Sequence, residues 1–275
     1  MSTVAGKLVA VTGGARGIGL AIAAALVERG ARVALGDIDV EEAQQAAQRL
    51  GPGALAFEAD VTSIASFGAF IGGAEEQFGQ PLDVLVNNAG IMWVGRFDEE
   101  PEAAEQRQMD VNFHGVVRGM KLAIPEMRAR GRGHVVNVAS AASKLPTAGE
   151  ATYSATKHAV YGYSVAVREE LRGSGIQVSV IMPVVVDTEL ATGTSTGKGV
   201  RLQPSDVADA VVSAIEKPRF DVFVPRSIAA WTRLTAVLPQ PGRDALYRAM
   251  MPNQAEDADA GSRVAYEDRN VLRHP

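Results

Sequence analysis

The chain has 275 residues, a formal net charge of −5 and no cysteine. The acidic balance argues against nucleic acid as a partner, because neutralising phosphates requires a basic surface. The absence of cysteine excludes disulfides, thiolate catalysis and zinc–thiolate sites. The stretch MSTVAGKLVA at the start has no basic segment followed by a long apolar run, and no run of about eighteen apolar residues occurs anywhere, so we expect a cytoplasmic protein.

Short apolar runs alternate with helical periods along most of the chain, which is typical of a parallel sheet covered by helices. The apolar runs predict strands over residues 7–12, 32–37, 54–60, 82–88, 134–140, 176–182 and 220–225. The helical periods predict helices over residues 17–29, 40–50, 63–78, 101–130, 150–172 and 204–216. The pattern therefore predicts one α/β domain of the Rossmann type, a doubly wound parallel sheet of about seven strands with helices on both faces.

The first predicted strand leads into its helix through a glycine-rich turn, TGGARGIG at residues 12–19. Glycines allow the backbone to turn tightly and to approach a pyrophosphate, whose charge the helix N-terminus stabilises. The spacing of Gly13, Gly17 and Gly19 differs from the G-x-G-x-x-G fingerprint of many dinucleotide sites. The turn predicts a dinucleotide site, and ordinary turn chemistry is the alternative.

Asp37 ends the second predicted strand, about twenty residues after the glycine turn, where an acid can accept hydrogen bonds from the ribose hydroxyls of NAD. The same carboxylate would repel the 2′-phosphate of NADP. The alternative is an exposed strand-end residue or a helix cap, for which Asp39 is the better candidate. Arg16 favours the opposite cofactor, because a cation beside the turn could hold a 2′-phosphate. We predict NAD, with NADP less favoured.

Tyr153 and Lys157 in the stretch TYSATK lie four residues apart, so on a helix they share one face. An ammonium about 4 Å from the phenol would supply roughly the 4 kcal/mol needed to lower a tyrosine pKa from ~10 to ~7. The pair therefore predicts an acid/base device. Such a spacing also arises by chance, and two solvated helix residues are the alternative.

Further motifs follow the predicted strands or lie on the helices between them. They are the DV pair Asp60-Val61, the NNAG run Asn87-Asn88-Ala89-Gly90, Asn112 in VNFHG, and Ser140 at the end of the fifth strand. Together with the glycine turn, Asp37 and the Tyr153–Lys157 pair, they stand in the order typical of the short-chain dehydrogenase/reductase family. The chain resembles this family over about residues 5–225, in the subgroup with a TGxxxGxG turn.

The resemblance implies that NAD lies along the carboxyl edge of the sheet, with Asp60 and Val61 against its adenine. After the sixth strand the family usually has a Pro-Gly pair and then a threonine for the nicotinamide carboxamide. Here Pro183 and Thr188 are present, but Val184 stands where glycine is expected. Since valine does not adopt a positive φ cheaply, this loop turns differently or does not need that conformation. The implied cofactor-binding residues are Gly13, Arg16, Gly17, Ile18, Gly19, Asp37, Asp60, Val61, Asn88, Ala89, Gly90, Tyr153, Lys157, Pro183, Val186 and Thr188.

The resemblance also implies catalytic roles. Tyr153 is the general acid/base, and Ser140 fixes the substrate oxygen. Lys157 lowers the pKa of the tyrosine and binds the nicotinamide ribose, while Asn112 helps to carry protons to water; a helix-bending or capping amide is the alternative for Asn112. The implied reaction is the NAD(H)-dependent interconversion of a secondary alcohol and a ketone. The alternatives are an NAD-binding epimerase or dehydratase and a non-catalytic NAD-binding scaffold protein.

The predicted walls of the substrate site lie in residues 92–94, 141–150 and 184–204, and they are mostly apolar. They favour a small-molecule alcohol or ketone of apolar, lipid- or steroid-like character. Members of the family commonly form homotetramers or homodimers through the helices at residues 101–130 and 150–172. The histidines, His114, His134, His158 and His274, lack metal-ligand spacing with carboxylates, so no metal site is predicted.

Residues 226–275 are predicted to be a helical extension of an NAD-binding catalytic domain that covers residues 1–225. Within the extension, residues 227–238 carry apolar side chains at helical spacing. We expect them to pack on the domain, on a partner subunit or at the substrate mouth, with peripheral membrane contact and a free tail as alternatives. The last twenty residues are charged and weakly periodic, which predicts partial disorder or a late-docking extension.

Overall fold

The computed structural model describes residues 4–197 and 199–272. Seven parallel strands form one sheet in the order β3-β2-β1-β4-β5-β6-β7, which confirms the predicted fold. The strands are β1 (Leu8–Thr12), β2 (Arg32–Asp37), β3 (Ala54–Glu58), β4 (Val84–Asn87), β5 (Gly133–Val138), β6 (Ile176–Pro183) and β7 (Asp221–Val224). The inner strands β1, β2, β4, β5 and β6 are almost entirely buried, as expected for strands that are covered on both faces, whereas the central residues of the edge strands β3 and β7 are half-buried.

The helices that cover the sheet begin and end close to the predicted positions. They are α1 (Gly17–Glu28), α2 (Val40–Leu50), α3 (Ile64–Phe78), α4 (Glu102–Gln108), α5 (Gly115–Ala129), α6 (Ala151–Glu170) and α7 (Pro204–Glu216). The long helix predicted over residues 101–130 is interrupted by a π-helical turn, Met109–His114, between α4 and α5. Such turns concentrate at functional sites, and this one contains Asn112.

Two apolar clusters, one on each face of the sheet, hold the helices in place. On one face Ile22 of α1 and Val211 of α7 pack with the buried strand residues. On the other face the buried strand residues pack with Phe70 of α3, Met120 of α5 and Val160 of α6. Burial of side chains of this size contributes about 1.5–3 kcal/mol each, so the carboxyl edge of the sheet is a rigid platform.

The chain changes direction within the sheet between β1 and β4. It leaves β1 towards β2 and β3 and then returns to β4 on the other side of β1. The loops that follow β1 and β4 therefore diverge, and in such sheets the crevice between them is where ligands bind. The third and fifth strands end earlier than predicted, at Glu58 and Val138, so Asp60 and Ser140 each lie two residues beyond a strand.

The C-terminal region contains four more helices, α8 (Ser227–Val237), α9 (Gln240–Met250), α10 (Gln254–Asp257) and α11 (Ala260–Glu267), and a π-helical turn, Asp268–Leu272. The prediction of partial disorder for the last twenty residues is wrong for the part that the structure describes, because Arg263, Tyr266 and Val271 are buried against the domain. The docked extension, the other predicted form, is what is found. Residues 273–275, and with them His274, lie outside the described residues.

In the extension, α8 has two different sides. Ile228 and Trp231 line the large cleft of the domain, whereas Leu234 and Val237 are exposed. Within residues 4–197 and 199–272, no helix is long and apolar enough to cross a membrane. The same residues hold no group of three His, Asp or Glu side chains that is arranged to bind a metal ion.

Candidate active site

A cleft of about 940 Å³ lies along the carboxyl edge of the sheet. It extends from the glycine turn after β1, past the ends of β4 and β5, to the loop after β6 and the C-terminal helices. Of the residues implied for catalysis and cofactor binding, all but Gly19 and Asn112 line it, although they come from seven different segments. Gly19 and Asn112 lie behind its wall and support residues that face it.

The glycine turn requires glycine for two separate reasons. Gly13 and Gly17 have φ angles of 64° and 55°, in the left-handed region where a side chain is strained. Gly19 leaves no room for a side chain, because a Cβ atom there would lie 1.9 Å from the carbonyl oxygen of Gly13. Helix α1 begins at Gly17, so its first amides face the cleft, where an anionic group is stabilised.

Hydrogen bonds of Thr12 and Asn88 stabilise the glycine turn. The Thr12 hydroxyl accepts hydrogen bonds from the backbone amides of Asn88 and Ala89, at 3.0 and 3.1 Å. The Asn88 side chain in turn donates to the carbonyl oxygens of Thr12 and Gly13, at 2.9 and 3.2 Å. The Asn88 amide therefore fixes the turn. The sequence analysis missed Thr12, whose only signal was a polar residue at the end of an apolar strand.

Asp37 is not the exposed strand-end residue that was its alternative, since its exposed fraction is only 7%. One carboxylate oxygen accepts from the Ala15 amide at 3.0 Å, and the other accepts from the Asp39 amide at 3.1 Å. Asp39 caps α2 by accepting from the Glu42 amide, as predicted. Asp37 therefore ties the glycine turn to the end of β2 and lines the cleft there.

Arg16, the residue that could favour NADP, is held by two carboxylates. Its Nη1 lies 3.3 Å from an oxygen of Glu42 and 3.3 Å from an oxygen of Glu189, and its Nη2 donates to Asn270 at 3.4 Å. Glu189 also pairs with Arg269. Arg16 is thus largely neutralised, and its partners include the C-terminal extension. Glu189 is exposed but paired.

Asp60 and Val61 line the cleft beyond the end of β3. The Asp60 carboxylate accepts from both the amide and the hydroxyl of Thr62, at 2.8 and 2.7 Å. Its backbone amide donates to Ser66 at the start of α3. These bonds hold the loop in one conformation, and the buried Val61 side chain packs beneath it.

Ser140, Tyr153 and Lys157 meet in the centre of the cleft. A hydrogen bond links the Ser140 side chain to the Tyr153 phenol, and the Ser140 Oγ also accepts from the Ala142 amide at 3.1 Å. The Lys157 Nζ donates to the carbonyl oxygen of Val138 at 3.1 Å and lies 5.5 Å from the centroid of the Tyr153 ring. Both Tyr153 and Lys157 are buried, so neither is the solvated helix residue of the alternative.

The pKa of Tyr153 differs from the expectation. Burial raises it above its ordinary value, the negative charge of Glu150 adds to this, and the hydrogen bond from Ser140 opposes it. The expected lowering by Lys157 does not outweigh burial in this arrangement. The reason is that Lys157 is itself buried, which lowers its own pKa to about 8, and its ammonium is directed at a carbonyl oxygen. Tyr153 therefore holds its proton at neutral pH.

Asn112 lies in the π-helical turn and bonds to the loop after β4. Its Oδ1 accepts from the Ile91 amide at 2.8 Å, while its Nδ2 donates to the Ile91 carbonyl at 2.8 Å and to Thr156 at 3.2 Å. A Cβ atom on Gly90 would lie 3.4 Å from Asn112 Oδ1 and 3.5 Å from Lys157 Nζ, so the two side chains flank one point. The contacts of Asn112 are those of an amide that fixes a loop.

The loop after β6 closes over the glycine turn. The Thr188 methyl group would lie 3.4 Å from a Cβ atom on Gly17, and Pro183, Val186 and Thr188 all line the cleft. Within the described residues only glycines have positive φ angles, so Val184 does not adopt the conformation that glycine was expected to supply. Its amide donates to the Val224 carbonyl at 3.0 Å. The departure at Val184 is therefore accommodated without strain.

The substrate side of the cleft is mainly apolar. Met92 and Val94 pack with Ala142 and Tyr153 in a small cluster, and Leu145 lies beside them. Three buried polar residues lie at this wall, and the sequence analysis missed the role of all three. One is Glu150, just before α6, and the others are Arg263 and Tyr266 of the C-terminal extension, for which no local pattern gave a signal.

Arg263 joins the extension to the substrate wall. It is fully buried, and its guanidinium donates to the carbonyl oxygens of Met92 at 2.9 Å and Thr192 at 2.7 Å, and to Leu190 at 3.1 Å. Its Nε pairs with Glu267 at 2.7 Å. The loops after β4 and β6 are thereby held together through one side chain.

Glu150 precedes α6 but does not cap it. Its exposed fraction is 7%, and burial raises its pKa to about 7, although the positive charge of Arg263 acts in the opposite direction. It lines the cleft together with Tyr153. A carboxyl group whose pKa is raised by burial therefore faces the same space as the phenol.

The match to known proteins agrees with this geometry. Residues 7–199 match the short chain dehydrogenase family model, which is more than half of the chain. The chain therefore belongs to the short-chain dehydrogenase family of oxidoreductases. The C-terminal helices that close the substrate side lie beyond the matched region.

Individual relatives cover most of the chain. It is 37% identical over 212 residues to a 3-alpha-(or 20-beta)-hydroxysteroid dehydrogenase of Mycobacterium tuberculosis, which covers 75% of this chain and 81% of that one. It is 39% identical over 189 residues to a 2,5-dichloro-2,5-cyclohexadiene-1,4-diol dehydrogenase of Sphingobium indicum, covering 68% and 75% of the two chains.

Two solved structures are similar over the whole domain. A short chain dehydrogenase/reductase from Burkholderia phymatum, in complex with NAD, superposes with a TM-score of 0.78 at 26% identity and covers 86% of this chain and 95% of that one. A 3-ketoacyl-(acyl-carrier-protein) reductase from Brucella melitensis, complexed with NADH, gives a TM-score of 0.75 at 30% identity, with coverages of 81% and 98%.

Proposed function

We propose that this protein interconverts a secondary alcohol and a ketone with NAD(H) as the hydride carrier. The observation that carries the proposal is the meeting of Ser140, Tyr153 and Lys157 in a cleft whose other end is the glycine turn. A phenol that is hydrogen-bonded to a serine hydroxyl, with a buried ammonium beside it, is suited to exchanging a proton with a substrate oxygen.

The residues at the other end of the cleft fit a dinucleotide. A turn that excludes any Cβ atom at Gly19 and presents the first amides of α1 suits a pyrophosphate. The Asp37 carboxylate suits ribose hydroxyls and repels a 2′-phosphate, and Arg16 is already paired with Glu42 and Glu189. The NAD and NADH complexes of the two similar structures support the same cofactor. We therefore expect kcat/KM with NAD to exceed that with NADP.

The cofactor and the residues around Tyr153 have distinct roles in the proposed reaction. A nicotinamide dinucleotide, when bound, supplies the hydride acceptor or donor. Tyr153 holds a proton at neutral pH, which suits donation to a ketone oxygen during reduction. In the reverse direction it must accept the alcohol proton, and the Ser140 hydrogen bond and the charged form of Lys157 stabilise the phenolate that does so. Ser140 also orients the substrate oxygen.

The substrate is expected to be largely apolar. Met92, Val94, Ala142 and Leu145 form the wall beside Tyr153, and Trp231 of α8 lines the cleft as well. Burial of an apolar ring against such a wall contributes about 25 cal/mol per Å². The hydroxysteroid dehydrogenase among the relatives supports a lipid- or steroid-like substrate.

The test is a comparison of Tyr153→Phe with Tyr163→Phe, which removes a phenol from the same helix away from the cleft. Oxidation of a panel of cyclic secondary alcohols is followed by the absorbance of NADH. We expect Tyr153→Phe to lose about 10³-fold in kcat/KM while NADH affinity stays within a few-fold of wild type, and Tyr163→Phe to remain active. A kcat/KM of Tyr153→Phe within tenfold of wild type would contradict the proposal.

A further inference from the structure

Glu150 is a buried carboxyl group without a protein partner. Only 7% of it is exposed, and it precedes α6 without capping that helix. Among residues 4–197 and 199–272 no hydrogen bond or ion pair to its carboxylate is found. Its carboxylate oxygens are not among the fully enclosed polar atoms that lack a partner, and the residue lines the cleft, so a ligand group in the cleft can reach them.

The positive charge that acts on Glu150 does not complete it. Arg263 is the cation that influences Glu150, but its guanidinium is committed to the carbonyl oxygens of Met92, Leu190 and Thr192 and to Glu267. Arg263 therefore offsets part of the cost of burying a charge without forming a bond to it. The hydrogen-bonding capacity of Glu150 stays directed into the cleft.

Glu150 and Tyr153 lie three residues apart at the beginning of α6. Both line the same cleft, and the charge of Glu150 is felt by the phenol. The wall between and around them is apolar. A substrate whose reacting carbon lies at Tyr153 therefore brings a neighbouring substituent to Glu150.

We propose that Glu150 binds a second hydroxyl group of the substrate, so that the preferred substrates are diols or hydroxyketones on an apolar ring or chain. The second hydroxyl donates a hydrogen bond to the Glu150 carboxylate while the reacting oxygen lies at Tyr153 and Ser140. The inference rests on the proposed reaction at Tyr153. A simple alcohol leaves the buried carboxyl group unpaired, and sites of that kind discriminate strongly against the analogue that lacks the group.

The experiment uses four probes, cyclohexanol and the 1,2-, 1,3- and 1,4-cyclohexanediols. Their affinities for the NADH-loaded protein are measured by titration calorimetry, since an alcohol bound beside NADH does not react. We expect at least one diol to bind about tenfold or more tightly than cyclohexanol. In Glu150→Leu this ratio falls to about 1, and in Glu150→Gln, which keeps an acceptor oxygen, part of it remains.

Glu100→Gln is the matched control. Glu100 is a partly buried carboxylate whose pKa is also raised by burial, but it is paired with Thr152 and Gln108 and does not line the cleft. This variant keeps the diol preference of wild type. Thermal unfolding and NADH binding of each variant show that the fold is intact.

Four outcomes separate this inference from the proposed reaction. Equal binding of all four probes by wild type, or an unchanged ratio in Glu150→Leu, overturns the role of Glu150. Failure of every diol to bind overturns it as well. A diol preference that depends on Glu150 without turnover of any alcohol supports the Glu150 site and overturns the reaction. Turnover of simple alcohols without a diol preference supports the reaction at Tyr153 and overturns the Glu150 site.

Discussion

The two ends of the cleft are built in different ways. At the cofactor end, the hydrogen bond from Ala15 to Asp37 joins residues 22 positions apart, within one strand–helix–strand unit. At the substrate end, the hydrogen bond from Arg263 to Met92 joins residues 171 positions apart. The cofactor end thus contains a contact between neighbouring elements, whereas the wall of the substrate end is completed only when the C-terminal extension docks on the domain.

The two ends of the cleft also differ in how their buried charges are paired. The turn at the cofactor end consists of backbone groups and glycines, and its one buried acid, Asp37, accepts two amide hydrogen bonds. The substrate end buries a guanidinium that is fully paired and a carboxyl group, Glu150, that is not. We therefore expect substitutions at the substrate end to change stability as well as function, and those at the cofactor end to act mainly on binding.

Arg263→Met is expected to have the largest effect on stability. It leaves Glu267 and the carbonyl oxygens of Met92 and Thr192 without their buried donor, and removing one partner of a buried pair costs about 3–5 kcal/mol. Denaturant unfolding measures the loss. The KM for alcohols should rise in the same variant, while the NADH affinity of the folded protein changes by less than about threefold, within the spread expected for distant sites.

The control for that variant is Arg248→Met, on the exposed side of α9. A surface substitution of this kind is expected to change the free energy of unfolding by no more than about 0.5 kcal/mol. Equal losses for the two variants would show that the extension is not held through Arg263.

Glu150→Gln tests whether the substrate end carries a stability cost for its function. The pKa of Glu150 is raised from 4.5 to about 7, so the folded state binds the proton more tightly than the unfolded state. The contribution of the group to stability is therefore fully present below pH 4.5 and is lost as the pH rises through 7. The difference amounts to about 3 kcal/mol at roughly 1.4 kcal/mol per unit.

Unfolding curves at pH 4.5 and pH 8 measure this effect. Relative to wild type, Glu150→Gln should gain about 3 kcal/mol between the two values, because the amide does not ionise. Glu102→Gln, an exposed carboxylate at the start of α4, should change by no more than about 0.5 kcal/mol. A difference that does not depend on pH would mean that Glu150 is not a buried, ionisable group in solution.

Gly19→Ala tests whether a substitution at the cofactor end changes cofactor binding. A Cβ atom there would lie 1.9 Å from the Gly13 carbonyl oxygen, so the turn must move. We expect NADH affinity to fall about 100-fold, which is about 2.7 kcal/mol. Gly72→Ala is the control, since nothing lies within 4 Å of a Cβ atom at that position on α3, and its NADH affinity should equal that of wild type.

The division of the cleft also explains what the sequence could predict. The sheet, the helices of the domain and the position of the glycine turn follow from short-range periodicity and from glycine stereochemistry, and they were predicted to within a few residues. The burial of Arg263 and Tyr266 could not be predicted, because a charged helix is stabilised here by loops that lie far away in the sequence. The pKa of Tyr153 was mispredicted for a related reason, since the spacing of Tyr153 and Lys157 does not show that both are buried.

The smallest effect is expected for Glu42→Gln, which tests how the cofactor end selects NAD. Glu42 and Glu189 each lie 3.3 Å from the Arg16 guanidinium, on partly exposed side chains, and such pairs contribute at most about 1 kcal/mol each. Removing one carboxylate frees Arg16 in part to approach a 2′-phosphate, so the ratio of kcat/KM for NADP to that for NAD should rise about fivefold. Glu41→Gln removes the same charge from the preceding residue, which lines the cleft but is not paired with Arg16. If both variants shift the ratio equally, the effect is one of local charge, whereas a shift in Glu42→Gln alone shows that the ion pair with Glu42 of α2 keeps Arg16 away from the cofactor.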